Sequence, residues 1–200
     1  MKDVLDIHRA LLGRGVAHEV VRLPRAIAAA DEIPDATGLP AHRCAVVRHY
    51  LVDEALVAAV VPAGSTMRPA AVLTALQATT ITAAPAEIVN RVTDYAVALA
   101  SPLLQPEEVT VLMDLVLLRE EVLYVPTGDS GTVIGIPSAT LAAESDARLV
   151  ELTTGAEIDL RTPARPALSA VPEVTTTQPA ATAANPPELT FAGRPAHPRH

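Results

Sequence analysis

The sequence predicts an α+β domain: a mixed, mostly antiparallel sheet with short helices packed around it, followed by a disordered C-terminal tail. Three observations predict it. Strand-like apolar runs outnumber helical ones and follow no regular order, which excludes a βαβ series. Two pairs of runs are joined by tight turns, at Asp53-Glu54 and at Gly128–Gly131, as hairpins require. From Pro163 onward large apolar residues become sparse, and proline makes up eight of the last 38 residues.

Taken in chain order, Val4, Ile7, His8, Leu11 and Leu12 recur at helical spacing, with Asp3 as the N-cap and Gly13 or Gly15 as the stop. "VAHEVVRL" reads as a strand, and "AIAAADEI" as a short helix ending near Pro34. "CAVVRHYLV" and "ALVAAVVPAG" are strands rich in β-branched residues. Pro69 and Pro85 open two helices, since proline is at home in a first helical turn. "VTVLMD", "EVLYVPTG" and "TVIGI" read as strands, the last two forming a hairpin. Ser138 is placed to cap a helix through Ala143, and "ARLVEL" closes the domain as a strand. The expected boundaries are 1–162 for the domain and 163–200 for a Pro/Ala/Thr-rich tail, partly polyproline II.

Charge narrows the partners. Residues 1–162 carry 12 Lys and Arg against 21 Asp and Glu, a net of −9, whereas the tail carries +1. An acidic body does not grip DNA through a broad basic face, although a local basic groove is compatible with it. A lone cysteine, Cys44, forms no intrachain disulfide and suits a reducing compartment. The charged N-terminus "MKDVLDIHRALLGRG" is unlike a signal peptide, and no apolar run reaches membrane-span length. A cytoplasmic location with no membrane partner is expected.

Several short motifs invite chemistry. "GDSG" at Gly128–Gly131, with His42, Asp94 and Ser130 in trypsin-like order, is better read as a hairpin turn made of turn-forming residues. Cys44 opens an apolar strand and reads as a buried small hydrophobe. The six histidines have no metal-ligand spacing, and neither a P-loop nor a GxGxxG is present, so no metal or cofactor is expected. Arg48 stands out in mid-strand. Alternation puts Val46, Arg48 and Tyr50 on one face and Val47, His49 and Leu51 on the other. A charge there points to solvent or lines a cleft and pairs with an anion.

Element order then becomes recognisable. "HEVVRLPRAIAAADEIPDATGLPAHRCAVVRHYLV", "AVVPAGS", "RPAAVLTAL", "SPLL" and "VLYVPTGDSGTVIGIPSATL" follow one another as they do in a known family. Over about residues 1–153 the chain resembles the YbaK/prolyl-tRNA synthetase-associated editing domains. The resemblance implies an α+β hydrolase that works without metal on the ester of a mischarged tRNA, such as Cys- or Ala-tRNA(Pro). A pocket sieves the amino acid, and a Gly-x-x-x-Pro loop presents backbone groups to the scissile carbonyl.

Carried over position by position, the family's strand lysine falls on Arg48, and its loop falls on Ala98–Pro102, with alanine in place of glycine. Arg48, Ala98, Ser101 and Pro102 are thus the implied catalytic set. Tyr95 stands where the family often has an aromatic residue, and Gly128, Asp129 and Gly131 shape the pocket rim. The implied partner is the tRNA acceptor end, with a synthetase or another protein as a further one. The two substitutions leave a second expectation open: a degenerate relative that keeps the fold and binds a ligand or protein.

Overall fold

A computed structural model describes residues 1–154; the expected domain boundary and the tail lie outside them. The first helix, α1 (Val4–Gly13), begins as its sequence dictates. Asp3 accepts from the N–H groups of Leu5 (2.8 Å) and Asp6 (3.3 Å), and Asp6 returns the bond to the Asp3 N–H, closing a capping box. Ile7 and Leu11, four apart, are fully buried.

Among the described residues eight strands follow in two sheets. β1 (Glu19–Arg22), β6 (Val122–Pro126) and β7 (Thr132–Pro137) form one, in the order β1-β7-β6. The other holds β2 (Ala45–Val52), β3 (Ala55–Pro62), β4 (Ile81–Ala83), β5 (Thr110–Asp114) and β8 (Arg148–Val150), in the order β4-β2-β3-β5-β8. Pairing is antiparallel except for β3–β5 and β5–β8, so the sheets are mixed and mostly antiparallel. A bridge between Cys44 and Tyr124 links the two sheets.

Both expected hairpins form. Asp53 and Glu54 take the left-handed conformation (φ 44° and 69°), the geometry a two-residue hairpin loop needs. The Asp53 carboxylate braces that turn by accepting from Thr79 and Thr80. β3 is buried from Leu56 to Pro62 because the sheet packs on both faces. Each large aliphatic side chain buried this way contributes about 1.5–3 kcal/mol. On one face Ala45, Val47, Ala58 and Val60 meet α1, the helix α4 (Ala86–Thr93), Tyr95 and Leu103. On the other, Val46, Val57, Ala59 and Val61 meet Leu23, Ile27, Ile33 and Val72, the last from α3 (Pro69–Leu76).

Two local expectations are corrected. "AIAAADEI" does not form the expected helix. A 3-10 turn spans Ala30–Glu32, and the helix α2 (Ile33–Thr37) starts only after it, with Pro34 in its first turn rather than at its end. The cause is Glu32, whose carboxylate accepts from the N–H groups of Ala28 (3.0 Å) and Ala29 (3.2 Å) and holds that stretch open. In α5 (Ser138–Glu144) Ser138 is the first helical residue, and Pro137 occupies the cap. β4 went unanticipated: three residues carry too little pattern to separate strand from loop.

Candidate functional site

The site begins with β2. Arg48 pairs in register with Ala59, whose small side chain leaves room on that face. As alternation requires, Arg48 shares the face with Val46 and Tyr50. Its guanidinium, 34% exposed, forms a two-pronged pair with Asp31 of the 3-10 turn: Nη1 to Oδ2 at 2.7 Å and Nη2 to Oδ1 at 2.6 Å. The Gly64 N–H, just beyond β3, also donates to Asp31 Oδ1 (3.1 Å). The Arg48 hydrogen bonds hold the Asp31 carboxyl below the usual carboxylate range, and Asp31 in turn raises Arg48. Of the two predicted alternatives, Arg48 takes the second in an internal form: the anion is the protein's own.

The Ser-Pro loop is built without charge. After α4 a 3-10 turn spans Val97–Leu99, and Ala100, Ser101, Pro102 and Leu103 that follow are buried. Ser101 Oγ accepts from the Leu103 N–H (3.3 Å), and Gln105 Nε2 donates to the Ser101 carbonyl. Tyr95 is fully enclosed and donates from its phenol to the Leu103 carbonyl (3.0 Å), so it props the loop from inside; burial pushes its phenol pKa up. Among the described residues the Ser101 N–H makes no hydrogen bond, and the Ala100 N–H only closes the 3-10 turn loosely on the Val97 carbonyl. Two adjacent donors without a well-formed bond on buried residues are unusual, because buried backbone N–H groups are nearly always paired.

Ala98 is exposed within the 3-10 turn and lies outside the left-handed region. Glycine's conformational freedom is therefore not needed here, and the alanine methyl causes no backbone strain. Gly128 is the opposite case. At φ 86° it donates to the Leu99 carbonyl (2.9 Å), and a Cβ there would lie 2.5 Å from the Lys2 carbonyl oxygen and 2.9 Å from the Tyr95 ring.

The Gly128–Gly131 turn ties the pieces together. Asp129 folds back to accept from the Gly131 N–H, an Asx turn as its composition predicts. The Gly131 and Ser130 carbonyls accept from Leu23 (2.8 Å) and Ile27 (2.9 Å). That segment runs on into Asp31. A continuous path thus joins the Ser-Pro loop, through Gly128 and Ser130, to the Arg48–Asp31 pair. Leu99 also packs into the core on the Arg48 side of the sheet.

The fold recurs in solved structures. The fold is YbaK-like. A hypothetical protein, APE2540, superposes with a TM-score of 0.68 at 15% identity over 74% of this chain and 99% of its own. A candidate trans-editing enzyme for prolyl-tRNA synthetase gives 0.66 at 19% identity over 74% and 95%. A scaffold protein used for computational epitope grafting gives 0.66 at 18% over 75% and 96%. No family model and no curated protein matches the sequence.

On this YbaK-like frame the other reactive groups sit apart or are shut down. Cys44 is fully buried, with its thiol pushed up to about 12 by desolvation, so it is no nucleophile. His49, next to Arg48 in sequence, faces the opposite core. Both its ring nitrogens are buried without partners among the described residues, and burial lowers its pKa to about 4, so it stays neutral at pH 7. Among the described residues no three His, Cys, Asp or Glu side chains cluster to hold a metal ion, and no helix is long and apolar enough to cross a membrane. The residue that sequence reasoning missed is Asp31. Its only signal was an acid inside an alanine-rich run, 17 residues before an unexplained mid-strand arginine.

Proposed function

We propose that this chain is an editing-type aminoacyl-tRNA deacylase that cleaves the ester of a mischarged tRNA(Pro)-type substrate. The observation that carries the reading is the pair of adjacent N–H groups at Ala100 and Ser101 that lack a well-formed bond, on the loop that the resemblance assigns to the scissile carbonyl. Paired donors of this kind stabilise charge where a tetrahedral oxyanion develops. Arg48 holds the acceptor end through a phosphate or ribose, using the edge of its guanidinium left over from Asp31. The oxygen of water adds to the ester carbonyl carbon. The tetrahedral intermediate then expels the ribose hydroxyl, which takes up a proton, leaving the free amino acid and uncharged tRNA. No covalent intermediate forms, in keeping with the sealed Cys44.

The two-pronged Arg48–Asp31 pair favours a second reading, a YbaK-like module that binds a small ligand or a protein and has lost catalysis. One experiment separates them: deacylation of Cys-, Ala- and Ser-tRNA(Pro) by the protein and by Arg48→Ala and Arg48→Lys. The deacylase reading predicts turnover of at least one charged tRNA and its loss in Arg48→Ala. No turnover of any of the three contradicts it and leaves the binding module.

A further inference from the structure

Lys2 is the chain's one lysine, and the fold places it behind the candidate carbonyl-facing loop. Its ammonium donates to two backbone carbonyls, Thr93 O at 2.9 Å and Leu104 O at 2.7 Å. These flank the loop: Thr93 ends α4, and Leu104 follows Pro102-Leu103. The same ammonium stands 5.2 Å from the centre of the Tyr95 ring, within cation–π range. The Lys2 main chain contributes as well. Its N–H donates to the Asp94 carbonyl (2.8 Å), and its carbonyl oxygen is the atom against which Gly128 is packed.

Three residues in the left-handed conformation converge here: Asp94 (φ 60°), Leu104 (φ 54°) and Gly128 (φ 86°). A leucine held there is strained and persists only where its surroundings impose it. The Lys2 ammonium is bonded to that leucine's own carbonyl. A bond from an ionised donor is about twice as strong as a neutral one, and it spans 102 residues of sequence.

We infer that Lys2 is a positioning residue for the Ser-Pro loop: its ammonium clamps the carbonyls of Thr93 and Leu104 and so fixes where the Ala100 and Ser101 N–H groups point. Its link to catalysis rests on the deacylase reading; the clamp itself does not. A compact ammonium suits the task, because its three N–H donors can serve two carbonyls from one point beside a ring face.

The test is chemical rescue in the full chain. Lys2→Cys removes the ammonium, and alkylation of the new thiol with bromoethylamine rebuilds an aminoethyl side chain of lysine length. Cys44 is buried with its thiol pKa raised, so it is spared. The readout is amide hydrogen exchange at Leu103 and Gly128, with the β2–β3 ladder as internal reference. The clamp predicts exchange at those two amides about tenfold faster or more in Lys2→Cys, unchanged ladder amides, and recovery on aminoethylation. Unchanged exchange overturns it, as does a loss that aminoethylation fails to repair or a rise shared by the ladder. None of these readings depends on turnover, so a protein that deacylates no tRNA could still have the clamp. If the protein is active, deacylation should fall in kcat with the exchange defect and return with the alkylated form.

Discussion

The Arg48 side and the Ser-Pro side of the candidate site are held by different forces. At Arg48 one salt bridge, about one-third exposed on both partners, sets the geometry, and a single backbone N–H from Gly64 supports it. At the Ser-Pro loop the geometry comes from Tyr95, Lys2 and Gly128, through hydrogen bonds to main-chain carbonyls and close packing. The first arrangement is adjustable: water and salt reach it, so losing the pair costs little. The second is sterically over-determined, so small changes of volume are felt strongly. The proposed deacylase would use both, a firm frame for the donors that meet the carbonyl and a cation whose partner can be exchanged for a phosphate.

Gly128→Ala should break the comparison most severely. The added methyl meets main chain and ring at once, in a conformation that alanine disfavours. A loss of about 3 kcal/mol is expected from urea unfolding. A cost below about 1 kcal/mol would mean the loop side is as pliant as the Arg48 side.

His49 tests the sheet between the two sides. Its pKa is about 4 in the folded chain against 6.5 unfolded, so only the unfolded state takes up a proton between those values. Stability should therefore fall as pH drops from 6.5 to 4, by up to about 3 kcal/mol. His49→Leu should flatten this dependence. The Asp31–Arg48 pair does not confuse the test. Asp31 is held below 3.8, so its contribution is present above that value and lost only as pH falls below it. Parallel pH profiles for the two proteins would contradict the burial argument.

Asp31→Asn should have the smallest effect on folding, 1 kcal/mol at most after screening. Its effect on binding should be opposite in sign. With the competing carboxylate neutral, Arg48 is free to meet a phosphate, and 5′-AMP should bind several-fold more tightly by calorimetry. Equal or weaker binding would mean that Arg48 is a structural partner of Asp31 and nothing more.

Much of the frame was readable from local chemistry. Asp3 announces α1, Asp53-Glu54 announces the β2–β3 hairpin, and the small turn residues of Gly128–Gly131 announce the next one. Alternation was enough to assign the face that Arg48 occupies. What stayed hidden depends on contacts between distant residues. The division into two sheets follows from β1 pairing with β7, more than a hundred residues away. Asp31 reaches Arg48 only because Glu32 folds its neighbours out of the helix that their alanines favour. The weakly engaged donors of Ala100 and Ser101 are a property of the loop's shape, and the clamp by Lys2 spans four helices and four strands of sequence. The resemblance pointed to the loop and to position 48, and left the supporting groups unnamed.

The two N–H groups are tested most directly by amide shifts measured against a non-hydrolysable ester mimic, 3′-alanylamido-3′-deoxyadenosine. The Ala100 and Ser101 amides should move downfield together and saturate with the ligand, while the amides of α1 and β8 stay in place. Binding that leaves both amides unmoved, or no binding at any accessible concentration, would contradict the deacylase reading.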